Sequence, residues 1–248
     1  MTKTSTFEVW PAIDLRGGQC VRLQQGDYNR ETVFNSDPVA VARQFVAEGG
    51  EYLHLVDLDG ARDGKLVNLE VVRAVTKAVS IPCELGGGVR TEDDIRTLLG
   101  AGLVRVVVGT KALREPEWFR EMCHKFPNKI ALGIDARGGM VATHGWLETS
   151  DVSAVAMARQ FADEPIAALI YTDIATDGML QGPNLAAMRE MAEAVSLPVI
   201  ASGGVSCAAD VANLTETGAA GCIIGRALYE GKLTLKDALA AARGQPVT

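Results

Sequence analysis

The chain has 248 residues, a net charge of −7, a hydrophobic fraction of 48% and only 5% aromatic residues. No segment concentrates Lys and Arg, which argues against nucleic acid or an anionic membrane as a partner. Five cysteines, odd in number, scattered and without a CxxC pair, argue against a disulfide framework or a bound metal and for a reducing compartment. With a polar start and no run near the ~18 apolar residues of a membrane span, the chain reads as cytoplasmic.

Low aromatic content leaves Val, Ile, Leu and Ala to build the core, as parallel strands buried on both faces require. Eight short runs rich in β-branched residues read as strands: 8–13, 52–56, 81–85, 104–108, 130–134, 168–172, 198–201 and 222–224. Between them, apolar residues at helical spacing mark 38–48, 69–79, 92–99, 116–125, 152–162, 185–195, 208–215 and 234–243. Asp37, Asn68, Thr91, Asn184 and Ser206 are the expected caps. Alternation of this kind predicts an α/β protein, either a closed parallel barrel or an open doubly wound sheet.

An internal repeat separates the two. Gly88 and Gly204 lie 116 residues apart, as do Gly109 and Gly225, Asn68 and Asn184, and Asp57 and Asp173. Ile13-Asp14-Leu15-Arg16-Gly17-Gly18 matches Ile134-Asp135-Ala136-Arg137-Gly138-Gly139 at an offset of 121. Two similar four-strand halves, about 1–125 and 126–248, close naturally into one (β/α)8 TIM barrel spanning the whole chain.

Glycines follow four of the expected strands: Gly86-Gly87-Gly88, Gly109-Thr110, Ser202-Gly203-Gly204 and Gly225-Arg226. Such loops can turn several N–H groups toward one anion, and a following helix adds its positive end. They equally make tight turns. Two matched sets point to two phosphate sites across one barrel mouth, and so to a small molecule with a phosphate at each end. Arg226 could contact one of these phosphates or pair with a surface carboxylate.

Asp14 and Asp135 end strands on opposite sides of an eight-stranded ring, between the two phosphate sites. An acid and a base are needed there, and one of them must stay protonated at neutral pH. Each could instead pair with the Arg that follows, Arg16 or Arg137. Asp57, Asp173 and Asp177 could orient hydroxyls or tune the acid. Trp146, in the Gly-rich stretch 138–150, could stack on a ring or pack under its own loop. His54 reads as a barrel residue rather than a catalyst, and Cys83 and Cys222 as buried strand residues.

Pro11-Ala12-Ile13-Asp14-Leu15, His54-Leu-Val-Asp-Leu-Asp-Gly-Ala61, Gly86-Gly-Gly-Val-Arg90, Thr172-Asp-Ile-Ala-Thr-Asp-Gly178 and Ser202-Gly-Gly-Val205 occur in that order. Together they resemble the phosphoribosylformimino-5-aminoimidazole carboxamide ribotide isomerase family of histidine biosynthesis, over nearly the whole chain. The resemblance implies an Amadori rearrangement of a ribotide with two phosphates, without a cofactor or metal. It implies Asp14 as base, Asp135 as acid, Thr172 and Asp177 in support, and Trp146 stacked on the imidazole. Gly87, Gly88, Gly109, Thr110, Ser202, Gly203, Gly204, Gly225 and Arg226 are the expected phosphate and substrate contacts, in a protein expected to act as a monomer.

Three relatives in function are set against this. The cyclase subunit of imidazole glycerol phosphate synthase usually has Cys-Leu-Asp where this chain has Ala12-Ile13-Asp14. The bifunctional isomerase that also takes phosphoribosylanthranilate usually has Arg where this chain has His144. A non-catalytic sugar-phosphate sensor would need the glycine loops but not both aspartates.

Overall fold

The computed structural model describes residues 7–24, 26–143, 146 and 148–247. In chain order the first part contains β1 (Glu8–Arg16), β2 (Gln19–Gln24), β3 (Asp27–Asn35), α1 (Pro38–Ala47), β4 (Leu53–Asp57), α2 (Leu58–Asp63), α3 (Leu69–Ala78), β5 (Cys83–Gly86), α4 (Glu92–Gly100), β6 (Arg105–Val108), α5 (Thr110–Arg114) and α6 (Pro116–Lys125). The rest contains β7 (Ile130–Arg137), β8 (Met140–Thr143), β9 (Glu148–Ser153), α7 (Ala154–Gln160), β10 (Ala168–Asp173), α8 (Leu185–Ala194), β11 (Val199–Ser202), α9 (Ala208–Thr215), β12 (Gly221–Ile224), α10 (Arg226–Tyr229) and α11 (Leu235–Ala242). No helix among the described residues is long and apolar enough to cross a membrane.

The sheet closes on itself. Parallel pairings run β1–β4–β5–β6–β7–β10–β11–β12 and return to β1. These are the eight expected strands, and with the helices around them they form a (β/α)8 barrel. Side chains alternate between the two faces of each strand. Inside the ring, Trp10, Ala12, Ala131, Ala168, Ile170, Ile200 and Ile223 pack together. Outside it, Ile13, Leu55, Leu85, Val106, Leu132 and Leu169 meet the helices in a second, larger cluster.

The interior also carries charge. His54, Glu84 and Arg105 are register neighbours on β4, β5 and β6. His54 Nδ1 lies 2.6 Å from Glu84 Oε1, Arg105 Nε donates to Glu84 Oε2, and the Arg105 guanidinium stacks 4.3 Å from the Trp10 ring centroid. Burial alone would push the fully enclosed Glu84 carboxyl up, but His54 and Arg105 hold it below its ordinary value.

Two stretches that lie between the expected strands and helices are hairpins. β2 and β3 rise from the end of β1, and β8 and β9 from the end of β7. Each begins at a Gly-Gly turn with both residues at positive φ, 54° and 77° at Gly17-Gly18 and 59° and 78° at Gly138-Gly139. Two left-handed central residues make the turn whose twist matches antiparallel strands. β9 also absorbs Val152 and Ser153, so the helix expected over 152–162 starts later, capped by Ser153 on the Ala156 N–H.

Asp37, Thr91 and Asn184 cap α1, α4 and α8 through their side chains. The other two expected caps act differently. Ser206 is not the cap of α9. Cys207 holds that position, and Asp210 accepts from the backbone N–H groups of Ser206 and Cys207. The Asn68 side chain does not cap α3. It accepts from Gly18 N at 3.0 Å and donates to Asp57 Oδ1 at 2.7 Å and Asp59 Oδ2 at 3.1 Å.

That bonding assigns Asp57 to the scaffold. Its oxygens accept from Gly60 N, Val67 N, Asn68 N and Asn68 Nδ2, all within 2.7–2.9 Å. Asp173 does the same after β10, accepting from Ala175 N and Asn184 Nδ2. Asp57→Ala strands buried donors, and the expected loss of unfolding free energy is about 3 kcal/mol. Urea unfolding of the variant beside wild type measures it, and a loss under about 1 kcal/mol contradicts the assignment.

Candidate active site

The carboxyl ends of the barrel strands surround a cavity of about 280 Å³. Every residue singled out from the sequence as catalytic or substrate-binding lines it: Asp14, Asp135, Thr172 and Asp177, the four glycine-containing loops, Trp146 and Arg226. Asp57 and Asp173 do not line it.

Asp14 sits on β1 where that strand, still paired with parallel β4 on one edge, exchanges parallel β12 for antiparallel β2 on the other. Its neighbour is not Arg16, which reaches Glu31. It is Arg22, on β2, whose Nη1 lies 2.8 Å from Asp14 Oδ2. Arg22 Nη2 donates to the Ala12 carbonyl. Arg22 was not legible in the sequence, because only the hairpin folds it back over the mouth. The alternating Cys20-Val21-Arg22-Leu23 run after Gly17-Gly18 was the available signal.

Asp135 stands on β7 beside Thr172 of β10. Burial raises its pKa, while the Trp146 indole and the Thr172 hydroxyl pull the other way. Trp146 Nε1 donates to Asp135 Oδ2 at 2.8 Å. Trp146 has a φ of 72°, a left-handed conformation costing about 1 kcal/mol or more for such a residue. The bond to Asp135 holds it there. A Cβ placed on Gly26 would come within 2.5 Å of the indole, so the two hairpins meet over the cavity through a glycine. His144 lies outside the described residues.

Asp177, after β10, has its pKa raised to about 7, first by burial and then by the charge of Asp14, with Arg22 opposing and Asp135 adding. Asp14 and Asp177 therefore share one buried guanidinium, and Asp135 adds a third carboxyl group near Asp177. They cannot all ionise together at neutral pH without strong repulsion.

The glycine loops come in matched pairs. Gly87 and Gly88 have φ of 99° and 80°, and Gly203 and Gly204 have 96° and 89°. A Cβ would strike the Lys65 carbonyl at 2.5 Å from Gly88 and the Gly182 carbonyl at 2.4 Å from Gly204. The loops are thus packed as tight turns, and their geometry also leaves donors free. Among the described residues, the N–H groups of Gly88 and Gly204 donate to no protein group. Gly109 and Gly225 precede α5 and α10; the third N–H of each helix, at Ala112 and Leu228, returns to the glycine carbonyl, and helix geometry leaves the two before it without an intrahelical acceptor. Arg226 does pair with a carboxylate, Nε to Glu230 Oε1 at 2.5 Å, and Nη1 donates to the Gly178 carbonyl at 2.6 Å.

Opposed carboxyl groups, one raised by burial, lie between two sets of glycine loops at the mouth of a closed parallel barrel, and the class is a (β/α)8-barrel enzyme. Residues 8–234 match the histidine biosynthesis protein family. A protein of Picosynechococcus is 51% identical over 242 residues, covering 96% of this chain and 94% of its own length. One from a Synechococcus strain is 53% identical over 235 residues, covering 94% and 92%. One from Rhodopirellula baltica is 50% identical over 239 residues, covering 95% and 94%. All three are described as 1-(5-phosphoribosyl)-5-((5-phosphoribosylamino)methylideneamino)imidazole-4-carboxamide isomerase. The chain belongs to the histidine biosynthesis family.

Asp177 makes stability pH-dependent in a definite direction. Its acid is raised from an ordinary 3.8 to about 7, so the folded state binds the proton more tightly. The resulting stabilisation is complete below about pH 4 and is lost as pH rises through about 7. Urea midpoints of wild type should therefore fall relative to those of Asp177→Asn across that range. A constant difference between the two proteins contradicts the buried acid.

Proposed function

We propose that the protein catalyses the Amadori rearrangement of the bis-phosphorylated N′-formimino aminoimidazole carboxamide ribotide, converting its aminoaldose into the ribulosyl aminoketose in histidine biosynthesis. It does so in the cytoplasm, as a monomer and without a cofactor. The observation that carries this reading is the placement of Asp14 and Asp135 in one cavity between two glycine-loop pairs. The naming of relatives at 50–53% identity supports the substrate.

In this mechanism the two phosphates anchor at the loops around Gly87, Gly88, Gly109 and Thr110 on one side, and Ser202, Gly203, Gly204, Gly225 and Arg226 on the other. Protonated Asp135 gives its proton to the ribose ring oxygen as the bond from that oxygen to C1 breaks, leaving an open-chain iminium. Asp14 takes the proton from C2, and the electron pair of that C–H bond forms the enolamine. Tautomerisation moves the C2 hydroxyl proton away and adds a proton at C1, giving the ketone. Burial favours the protonated form of Asp135 that the first step needs. Arg22 orients the Asp14 carboxylate. Thr172 and Asp177 hold the proton inventory around the pair, and Trp146 covers the substrate's imidazole once it leaves Asp135.

Purified protein should turn over the bis-phosphorylated ribotide, assayed beside phosphoribosylanthranilate, and folded protein inactive on the first overturns the proposal. Turnover of both would mark the bifunctional form. Asp14→Asn and Asp135→Asn should each lower kcat by more than about 100-fold, the scale of an acid–base group. Near-wild-type kcat in either variant removes that residue from the mechanism.

A further inference from the structure

Arg22 is held from several sides, and Asp14 is only one of them. The Arg22 guanidinium lies 4.9 Å from the ring centroid of Tyr229, on α10. The Tyr229 hydroxyl donates to the Ala12 carbonyl at 3.0 Å, the same oxygen that takes Arg22 Nη2. Burial pushes the Tyr229 phenol well up, so it stays a neutral donor. Tyr229 is itself fixed by Phe34 of β3 and Phe45 of α1, at centroid distances of 5.2 and 6.0 Å. Beneath the guanidinium is bare backbone. A Cβ on Gly225 would come within 2.7 Å of Arg22 Cζ and Nη1. Gly225 has a φ of −110°, so its missing side chain is a matter of space for Arg22 rather than of backbone freedom. Among the described residues Arg22 Nε is buried with no hydrogen-bond partner, so the ring face and the carbonyl have to hold what that nitrogen does not.

A long side chain left to itself samples many rotamers, and fixing it has an entropic cost. An aromatic face beneath a desolvated guanidinium offsets that cost. We propose that Tyr229 is a positioning residue that acts through Arg22, holding its guanidinium over Gly225 so that Asp14 is presented to the substrate in one orientation. The proposal rests on Asp14 as the base. It also gives the glycine loop after β12 a second task, because Gly225 precedes and Tyr229 ends the same short helix, α10, and both bear on Arg22.

The test is a double-mutant cycle. Tyr229→Leu should lower kcat about 10-fold, the scale of one desolvated cation–π contact, with KM changed less than about 2-fold. Tyr229→Phe keeps the ring face and should recover most of the rate. In an Arg22→Met background, Tyr229→Leu should cost almost nothing more. Equal costs in both backgrounds, or no rescue by Phe, would show a merely structural tyrosine and overturn the proposal. A second readout needs no substrate. The Arg22 Nε–H resonance, assigned by its loss in Arg22→Met, should be resolved in wild type and Tyr229→Phe and averaged away in Tyr229→Leu. Its persistence in Tyr229→Leu overturns the proposal even if the ribotide is never turned over, whereas an inactive wild type with the expected resonance pattern overturns only the substrate reading.

Discussion

Closure of the sheet is the constraint from which the site follows. β1 pairs with β12 on one side and β4 on the other, and β7 pairs with both β6 and β10. No barrel strand is left with an unpaired edge. All eight strands run in parallel, so all eight carboxyl ends emerge on one face. Residues far apart in the chain, such as Asp14 and Asp135, line one cavity there although their strands do not pair. Closure also packs the interior with small and medium apolar side chains around Trp10, and Glu84 pairs with both of its charged or titratable neighbours there, Arg105 and His54.

Within the mouth, electrostatics separates carboxyl groups that are chemically identical. Asp57 and Asp173 accept several neutral donors and serve the loops. Asp14 has a guanidinium at 2.8 Å. Asp135 has only neutral hydrogen-bond donors against the cost of burial, and Asp177 has two like charges in its surroundings. Burial thereby favours the acid form at Asp135 and Asp177. Which carboxyl group Arg22 faces is decided by the hairpin after β1.

The two hairpins have a shared logic. Each starts at a Gly-Gly turn, folds over the mouth and presents one side chain to an aspartate: Arg22 to Asp14 and Trp146 to Asp135. Their meeting at Gly26 makes the cavity roof, and Cys20 of β2 and Val141 of β8 tie the hairpins to the barrel core.

The sequence by itself determined the barrel strands, most helices, the glycine loops and the aspartate pair, because these rest on local signals. Apolar runs bounded by turn residues mark strands, capping residues mark helix starts, and matched offsets bring Asp14 and Asp135 into register. What only the tertiary structure decided were contacts made across the chain. The run after Gly17 reads as a polar loop until it pairs with β1, and only then does Arg22 reach Asp14. Asp57 and Asp177 are both aspartates beyond strand ends. One meets four donors and is consumed, while the other meets burial and two carboxylates and is raised toward neutrality. A residue's type and spacing set what it can do, but its charge state depends on desolvation and on neighbours that are distant in sequence, and those exist only once the barrel has closed.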